Sequence, residues 1–275
     1  MTNQALISVI VSTYNRPDAL NLVLDAFARQ TDRAFELIVA DDGSTNVTRD
    51  LVAAFTEKNR STLKVMHVWQ PDEGFRLAAV RNKAIIAARG TYLIFVDGDC
   101  IPQRDLVARH RLLAQSGAMV TGSRILLSER LTADALSRGV DLTAQSHAFW
   151  LQQRIENRVN KIVPLFVKLP AALRWRMKHS FSWKGIKGCN MAAWRRDIDI
   201  VGGFDEAFTG WGHEDADFVA RLSNAGIIRK MGFCATEVLH LWHREQPRNR
   251  ANPNYQRVVA RLRNGEIRAE QGLPS

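Results

Sequence analysis

Asp97-Gly98-Asp99 follows the apolar run Tyr92 to Val96, so two carboxylates leave the end of a predicted strand. Alternate residues of an extended chain project to the same side. Two hard oxygen ligands there suit Mg2+ or Mn2+ bridging a diphosphate, and a turn held by Asp side chains is the other reading. Asp41-Asp42-Gly43-Ser44 ends an earlier run. Its carboxylates would accept hydrogen bonds from a base N–H or ribose hydroxyls, or would cap the helix that follows. Thr13, Asn15 and Arg16 occupy the loop after the first run and complete the outline of a nucleoside pocket. Arg76 and Arg81 lie about 140° apart on an ideal helix, so at most one faces this edge. An arginine there would clamp an anion in bidentate fashion.

The stretch from Gly210 to Asp217 is the most specific in the chain. A tryptophan between two glycines is costly unless the loop must bend or approach a ligand, because each glycine loses extra conformational entropy on folding. Trp211 offers a flat apolar face of the kind on which sugar rings stack. Glu214 and Asp215 then open a helix, where negative charge also suits the dipole. Adjacent helical residues point about 100° apart, which lets one deprotonate a hydroxyl while the other orients it. His240 and His243 follow the run Ala235 to Leu239. In a continuing strand, residues three apart face opposite sides, so both reach one ion only where the chain turns. With Asp99, one or both would complete an octahedral site suited to Mn2+, and a satisfied structural histidine is the other reading.

Positioning these groups requires a regular scaffold. Four β-like runs, Ile7 to Thr13, Phe35 to Asp41, Leu63 to Val68 and Tyr92 to Val96, start at near-equal intervals. Helix-like segments lie between them near Ala19 to Arg29, Val47 to Lys58 and Leu77 to Ala88. This alternation predicts an α/β fold: right-handed crossovers and a Rossmann-like, mainly parallel sheet with helices on both faces. Ligands of such sheets bind at the carboxyl ends of strands. No GxGxxG follows the first strand and no GxxxxGK[ST] occurs, so neither a dinucleotide fold nor a P-loop is supported. Beyond Arg124 the regularity gives way to a helical basic insertion. One domain is expected, with an N-terminal half over 5–124, a basic aromatic insertion over 125–187, a second motif-bearing half over 188–245 and a tail over 246–275.

The 275 residues are 46% hydrophobic and 24% charged, which excludes disorder, collagen-like repeats and coiled coil. Three scattered cysteines, Cys100, Cys189 and Cys234, fit no disulfide framework, and a reducing cytoplasm is the expected setting. The N-terminus lacks the charged head of a signal peptide, and no run reaches the length of a membrane span. The formal charge of +10 is local: from Ala148 to Lys187 nine basic residues face one acid, Glu156. Interleaved aromatics, among them Trp150, Trp175 and Trp183, make this segment a candidate surface for an anionic partner, or else a solvated basic helix.

In order and spacing, Ser12-Thr13-Tyr14-Asn15-Arg16, Asp41-Asp42-Gly43-Ser44, Ala79-Val80-Arg81-Asn82 and Asp97-Gly98-Asp99 resemble the family 2 glycosyltransferases of the GT-A fold. Gly188-Cys189-Asn190-Met191 and Gly210 to Asp215 resemble the galactosyltransferase-type C-terminal module of chondroitin-polymerase-like and β-1,4-galactosyltransferase-like enzymes. Together they cover about residues 5 to 245. The resemblance implies a metal-dependent, inverting transferase using a nucleotide-sugar, with a UDP-hexose or UDP-N-acetylhexosamine as donor. Thr13, Asn15, Arg16 and Asp42 would hold the nucleoside and Arg81 the diphosphate. Asp97 would lie near the ribose or donor sugar, Trp211 would contribute to the donor site, and Asp99, His240 and His243 would bind Mn2+ or Mg2+. Asp215 would be the general base beside Glu214. His213 stands where many relatives have glycine.

Two other classes compete with this expectation. A nucleotidyltransferase would also use carboxylates and a divalent ion, but lacks support from a Gly-rich phosphate loop. A non-catalytic basic module would account for residues 148–187 and leave Trp211 to Asp217 without a role. The expected partners are a nucleotide-sugar, a glycan or glycolipid acceptor such as growing bacterial capsule or lipopolysaccharide, and an anionic membrane surface at which the protein would be peripheral; nucleic acid is not expected.

Overall fold

A computed structural model describes residues 5–210, 212–244 and 251–274, the side chains of residues 251 and 252 excepted. The N-terminal half alternates as its periodicity predicts: β1 (Ile7–Thr13), α1 (Pro17–Ala28), β2 (Phe35–Asp41), α2 (Asn46–Asn59), β3 (Lys64–Trp69), α3 (Leu77–Ala87) and β4 (Tyr92–Asp97). The first two strands have the expected bounds, the third lies one residue later at each end, and the fourth runs on to Asp97. Then come β5 (Cys100–Pro102), α4 (Leu106–Leu113), β6 (Ala118–Thr121), β7 (Ser123–Leu126), α5 (Glu129–Arg138), α6 (His147–Ile155), α7 (Val163–Phe166) and β8 (Met177–Lys178). The chain ends with β9 (Asn190–Trp194), α8 (Arg195–Val201), α9 (Glu214–Asn224), β10 (Ile228–Met231), β11 (Glu237–His240) and α10 (Ala251–Asn264).

Eight strands form the main sheet in the order β3-β2-β1-β4-β9-β6-β10-β8. The pairs from β3 to β4 are parallel, whereas β9 runs antiparallel between β4 and β6. Strands β1, β2 and β4 are buried almost throughout, as a sheet covered on both faces requires. Their alternating side chains feed two cores. Val9, Val11, Leu37, Val39 and Ile94 pack with α1, α2 and the insertion, whereas Ile10, Ile38, Leu93 and Phe95 pack with α3, α8 and α9. Register sets the chemical edge: Thr13 lies opposite Asp41 and Ser12 opposite Asp97.

Of a second sheet, β5-β11-β7, the sequence signals only β11, through the run Ala235 to Leu239. Its strands have three or four residues, and Ser123, Arg124, Glu237 and His240 interrupt any apolar alternation. It nonetheless sets the site, because β11 runs antiparallel to β5 with His240 opposite Cys100.

The insertion is less of a charged surface than its composition implies. Arg176 is fully buried and donates to the carbonyl oxygens of Leu169, Pro170, Met231 and Phe233 at 2.7 to 2.9 Å. Arg158 pairs with Glu156, Lys168 with the buried Glu237, and Lys161 donates to the Ser123 hydroxyl. Arg154, Arg174, Lys178 and Lys184 remain exposed. Among the described residues, no helix is long and apolar enough to cross a membrane.

Candidate active site

Backbone geometry at the carboxyl edge builds a cradle around Asp42. The Asp42 N–H donates to Thr13 O, and its carboxylate accepts from the Arg76 N–H at 2.9 Å and from Gln70 Nε2 at 2.6 Å. Burial nevertheless holds this carboxyl above its usual range, against the lowering effect of those two donors. Asn15 adopts a left-handed φ of 48°; its N–H donates to Ser44 Oγ and its Oδ1 accepts from the Thr45 N–H. Thr45 is therefore the residue that precedes α2, and neither Asp42 nor Ser44 caps that helix. Gly43, at φ +94°, packs where a Cβ would lie 2.5 Å from Asp72 Cα. Arg16 reaches Asp18 at 3.3 Å on the rim of the same loop.

Gln70 is a residue that sequence reading passed over. It directly follows β3, and the rule that ligands meet strand ends would have singled it out. Among the described residues its Oε1, the Thr13 hydroxyl and Arg81 Nη1 are buried polar atoms without a hydrogen-bond partner. Buried polar atoms are ordinarily satisfied, so these three leave hydrogen-bonding capacity along the edge that a polar ligand could use.

Of the two candidate arginines, Arg81 faces the edge, whereas Arg76 pairs with Glu73. Arg81 is 1% exposed. It donates to Ser12 Oγ at 3.2 Å, to Asp97 Oδ1 at 2.9 Å and to Gly188 O at 3.2 Å, and its Nη1 lies 3.7 Å from Glu214. Its guanidinium also lies 5.1 Å from the Phe204 ring centre. Loss of hydration raises the Asp97 carboxyl, Arg81 opposes that shift, and Asp99 and Asp215 add to it.

Between the two acids, Gly98 donates its N–H to Ser12 O at 2.7 Å, and a Cβ there would meet that oxygen at 2.9 Å. This close approach turns Asp99 toward the second sheet. Strand β11 ends at His240, and the Leu241 N–H donates to Asp99 O at 2.9 Å. The chain thus leaves the strand where the two histidines needed it to. Asp99 lies 3.9 Å from His240 Nε2 and 3.3 Å from His243 Nε2, with the two imidazoles 5.2 Å apart. Cys100 adds its thiol to Asp99 and His240, all within 4.8 Å. Burial keeps that thiol well above its usual range and favours neutral His240. A carboxylate and two imidazoles are a donor set that fits Mn2+ better than Mg2+, which demands oxygen.

Helix α9 begins at Glu214, preceded by His213 with a left-handed φ of 72°. Asp215 Oδ2 accepts from the Gly188 N–H at 2.9 Å and Oδ1 from the Ala216 N–H at 2.7 Å. Glu214 turns instead toward Arg81, and burial beside Asp215 pushes its carboxyl up to about 7. Neither acid serves only as a cap. Buried Asp217 accepts a hydrogen bond from Arg221 and forms an ion pair with Arg261, which also reaches Asp205, and this network fixes α9 against α10. Trp211 lies outside the described residues.

Residues 8–169 match the family model described as Glycosyl transferase family 2, and residues 173–244 match one described as N-terminal domain of galactosyltransferase. The chain is 32% identical over 229 residues to validoxylamine A glucosyltransferase of Streptomyces hygroscopicus subsp. jinggangensis, covering 81% of this chain and 52% of the relative. It is 30% identical over 253 residues to chondroitin synthase of Escherichia coli, covering 88% of this chain and 35% of the relative. The chain thus spans about half or less of the length of these curated relatives. Among solved structures, the mannosyltransferase PcManGT of Pyrobaculum calidifontis in complex with GDP-Man and Mn2+ superposes with a TM-score of 0.59 at 19% identity, over 89% of this chain and 59% of that one. TarS 1-349 of S. aureus in complex with UDP gives 0.59 at 15%, over 94% and 64%.

Proposed function

Since the chain belongs to the family 2 glycosyltransferases and has a GT-A-like α/β fold, we propose that it is an inverting, metal-dependent transferase. It moves a hexose or N-acetylhexosamine from a UDP-sugar to a hydroxyl of a glycan or glycolipid acceptor, in bacterial surface polysaccharide or lipopolysaccharide synthesis. The observation that carries this reading is Arg81, a buried guanidinium that bonds Asp97 on one half and Gly188 on the other, with Glu214 beside it. It makes the strand edge and the paired carboxylates one site. Residues 5–124 form the nucleotide-sugar half and 188–245 the acceptor and catalytic half.

Thr13, Asn15, Arg16, Asp42 and Gln70 bind the nucleoside, with the Gln70 Oε1 and Thr13 hydroxyl supplying unused hydrogen-bonding capacity. Arg81, whose Nη2 bonds Asp97 and whose Nη1 lies 3.7 Å from Glu214, orients the diphosphate side of the donor. Asp99, His240 and His243 would hold a divalent cation, Mn2+ on the donor set above. When bound, that ion supplies positive charge against the leaving diphosphate. Asp215 takes the proton from the acceptor hydroxyl as that oxygen bonds to the anomeric carbon. The bond from that carbon to the diphosphate oxygen breaks, and the nucleoside diphosphate leaves with the electron pair. The two N–H donors on Asp215 fix its orientation for this transfer.

The setting proposed is the cytoplasm, with residues 148–187 against an anionic membrane surface. Leu151 and Ile155, one turn apart on α6, are exposed with Arg154 beside them, and Ile155 is 80% exposed.

Thermal stability with UDP, GDP, CMP and dTDP, each with and without Mn2+, tests the reading, because a ligand that binds only the native state raises its melting temperature. A Mn2+-dependent rise with UDP is expected, with the Mn2+ dependence abolished in Asp99→Ala. No rise with any nucleotide would remove the transferase reading, and a rise with GDP alone would replace the donor.

A further inference from the structure

A cluster of aromatic side chains stands beside the paired carboxylates and belongs to neither the nucleoside cradle nor the metal-ligand group. Trp183 stacks on Tyr255 with ring centres 5.0 Å apart and planes at 26°. Phe181 and His213 meet Trp183 edge-on at 5.2 and 5.8 Å, and His213 lies 5.8 Å from Tyr255. Trp183 and Tyr255 nonetheless remain 37% and 40% exposed. Grouped apolar rings left in water are unfavourable and commonly mark a binding surface.

The cluster is built rather than incidental. Arg229 is buried on β10 and donates to Ser182 O at 2.6 Å and Lys184 O at 2.9 Å, so it pins the carbonyls on both sides of Trp183. The Ile186 N–H closes a turn on Trp183 O. Two residues later the Gly188 N–H holds Asp215. His213 enters from the other side as the residue before Glu214, in its left-handed conformation. Tyr255 comes from α10, where the neighbouring Asn254 donates to Gly212 O at 2.8 Å. All three segments that carry the rings are therefore tied directly to the carboxylate pair or to the loop before it.

We propose that Trp183, Tyr255 and His213 form the subsite for the acceptor sugar, a pyranoside ring whose axial C–H face packs on the aromatic surface while its hydroxyl meets Asp215. The assignment rests on the transferase reading above. Asp42 bonds Thr13, whose neighbour Ser12 bonds Arg81, which meets Glu214 and so the residue after His213; the cluster therefore adjoins the paired carboxylates and not the nucleoside cradle. Tyr255 lies beyond both family-model matches, which end at residues 169 and 244. On this reading Tyr255 would help to set the choice of acceptor.

Saturation-transfer NMR on the full chain, with methyl β-D-glucopyranoside, methyl β-D-glucuronopyranoside and methyl N-acetyl-β-D-glucosaminide as probes, tests the proposal apart from catalysis. At least one probe should receive saturation on its ring protons. In Trp183→Ala and Tyr255→Ala the affinity should fall roughly threefold or more, with partial recovery in Trp183→Phe. Absence of transfer to all three probes, or equal transfer in wild type and both alanine variants at unchanged melting temperature, would overturn it. The nucleotide panel is run on the same samples. A nucleotide response with ring-independent sugar binding removes the subsite and leaves the transferase; ring-dependent sugar binding without a nucleotide response removes the transferase and leaves a glycan-binding surface.

Discussion

Asp215 and Glu214 are adjacent in sequence and differently surrounded. Asp215 accepts two backbone N–H groups at the mouth of α9, whereas Glu214 is buried against Arg81. Asp215→Asn should therefore keep the nucleotide-dependent rise in melting temperature and lose about 10²–10⁴-fold in transfer rate. Single-turnover transfer by that variant at the wild-type rate would dismiss Asp215 as base. Glu214 carries a pH signature. Its proton is held to about 7 in the folded chain, under burial and the nearby Asp215 and Asp97 charges, opposed by Arg81, against a reference of 4.5. Between those values the native state binds more protons than the unfolded chain, so the Glu214 contribution to stability falls as pH rises. Urea unfolding at about pH 5 and about pH 7.5 should show wild type losing stability relative to Glu214→Gln. A wild-type-to-variant difference that does not change with pH would mean that this proton is not retained.

At the scale of elements, two short strands and one buried arginine matter more than their length suggests. Strands β5 and β11 are three and four residues long, yet their antiparallel pairing brings Asp99 to His240. In the insertion, Arg176 gathers four carbonyls from the 169–170 and 231–233 segments. It ties the insertion to the turn after β10. Arg176→Met would leave those carbonyls unpaired inside the protein and should cost about 3 kcal/mol or more, read as a lower urea midpoint. A loss below about 1 kcal/mol would show that water replaces the guanidinium.

The whole molecule places its exposed apolar and basic side chains unevenly. Leu151, Ile155, Val163 and Val167 are exposed in the insertion, and the His147 ring packs on Phe166 at 4.7 Å to hold α6 against α7. With Arg154 and Arg174 also exposed there, this region should bind vesicles of phosphatidylglycerol and not of phosphatidylcholine, in a salt-dependent manner. Cosedimentation of an Arg154→Glu/Ile155→Asp variant should fall well below that of wild type. Equal partitioning of the two proteins would assign the region to another role.

By itself the sequence determined the alternation of β1 to β4 with α1 to α3. The strands show as short apolar runs that end in polar residues and α1 as an apolar stripe at helical spacing, signals that need no distant partner to be read. The same local logic located Thr13, Asp42, Asp97 and Asp99 at strand ends and Glu214-Asp215 at a helix start. Only the tertiary structure decided the rest, because those outcomes depend on which distant segments meet. Residues 140 positions apart bring His240 and His243 to Asp99, through a strand pairing with no local signature. Packing chose Arg81 over Arg76 and buried Gln70 against Asp42. It also drew Arg176 inside, where composition alone had counted it as surface charge, and stacked Trp183 on Tyr255 across 72 positions. Local periodicity records how a segment faces the core, whereas a site is made of contacts between segments.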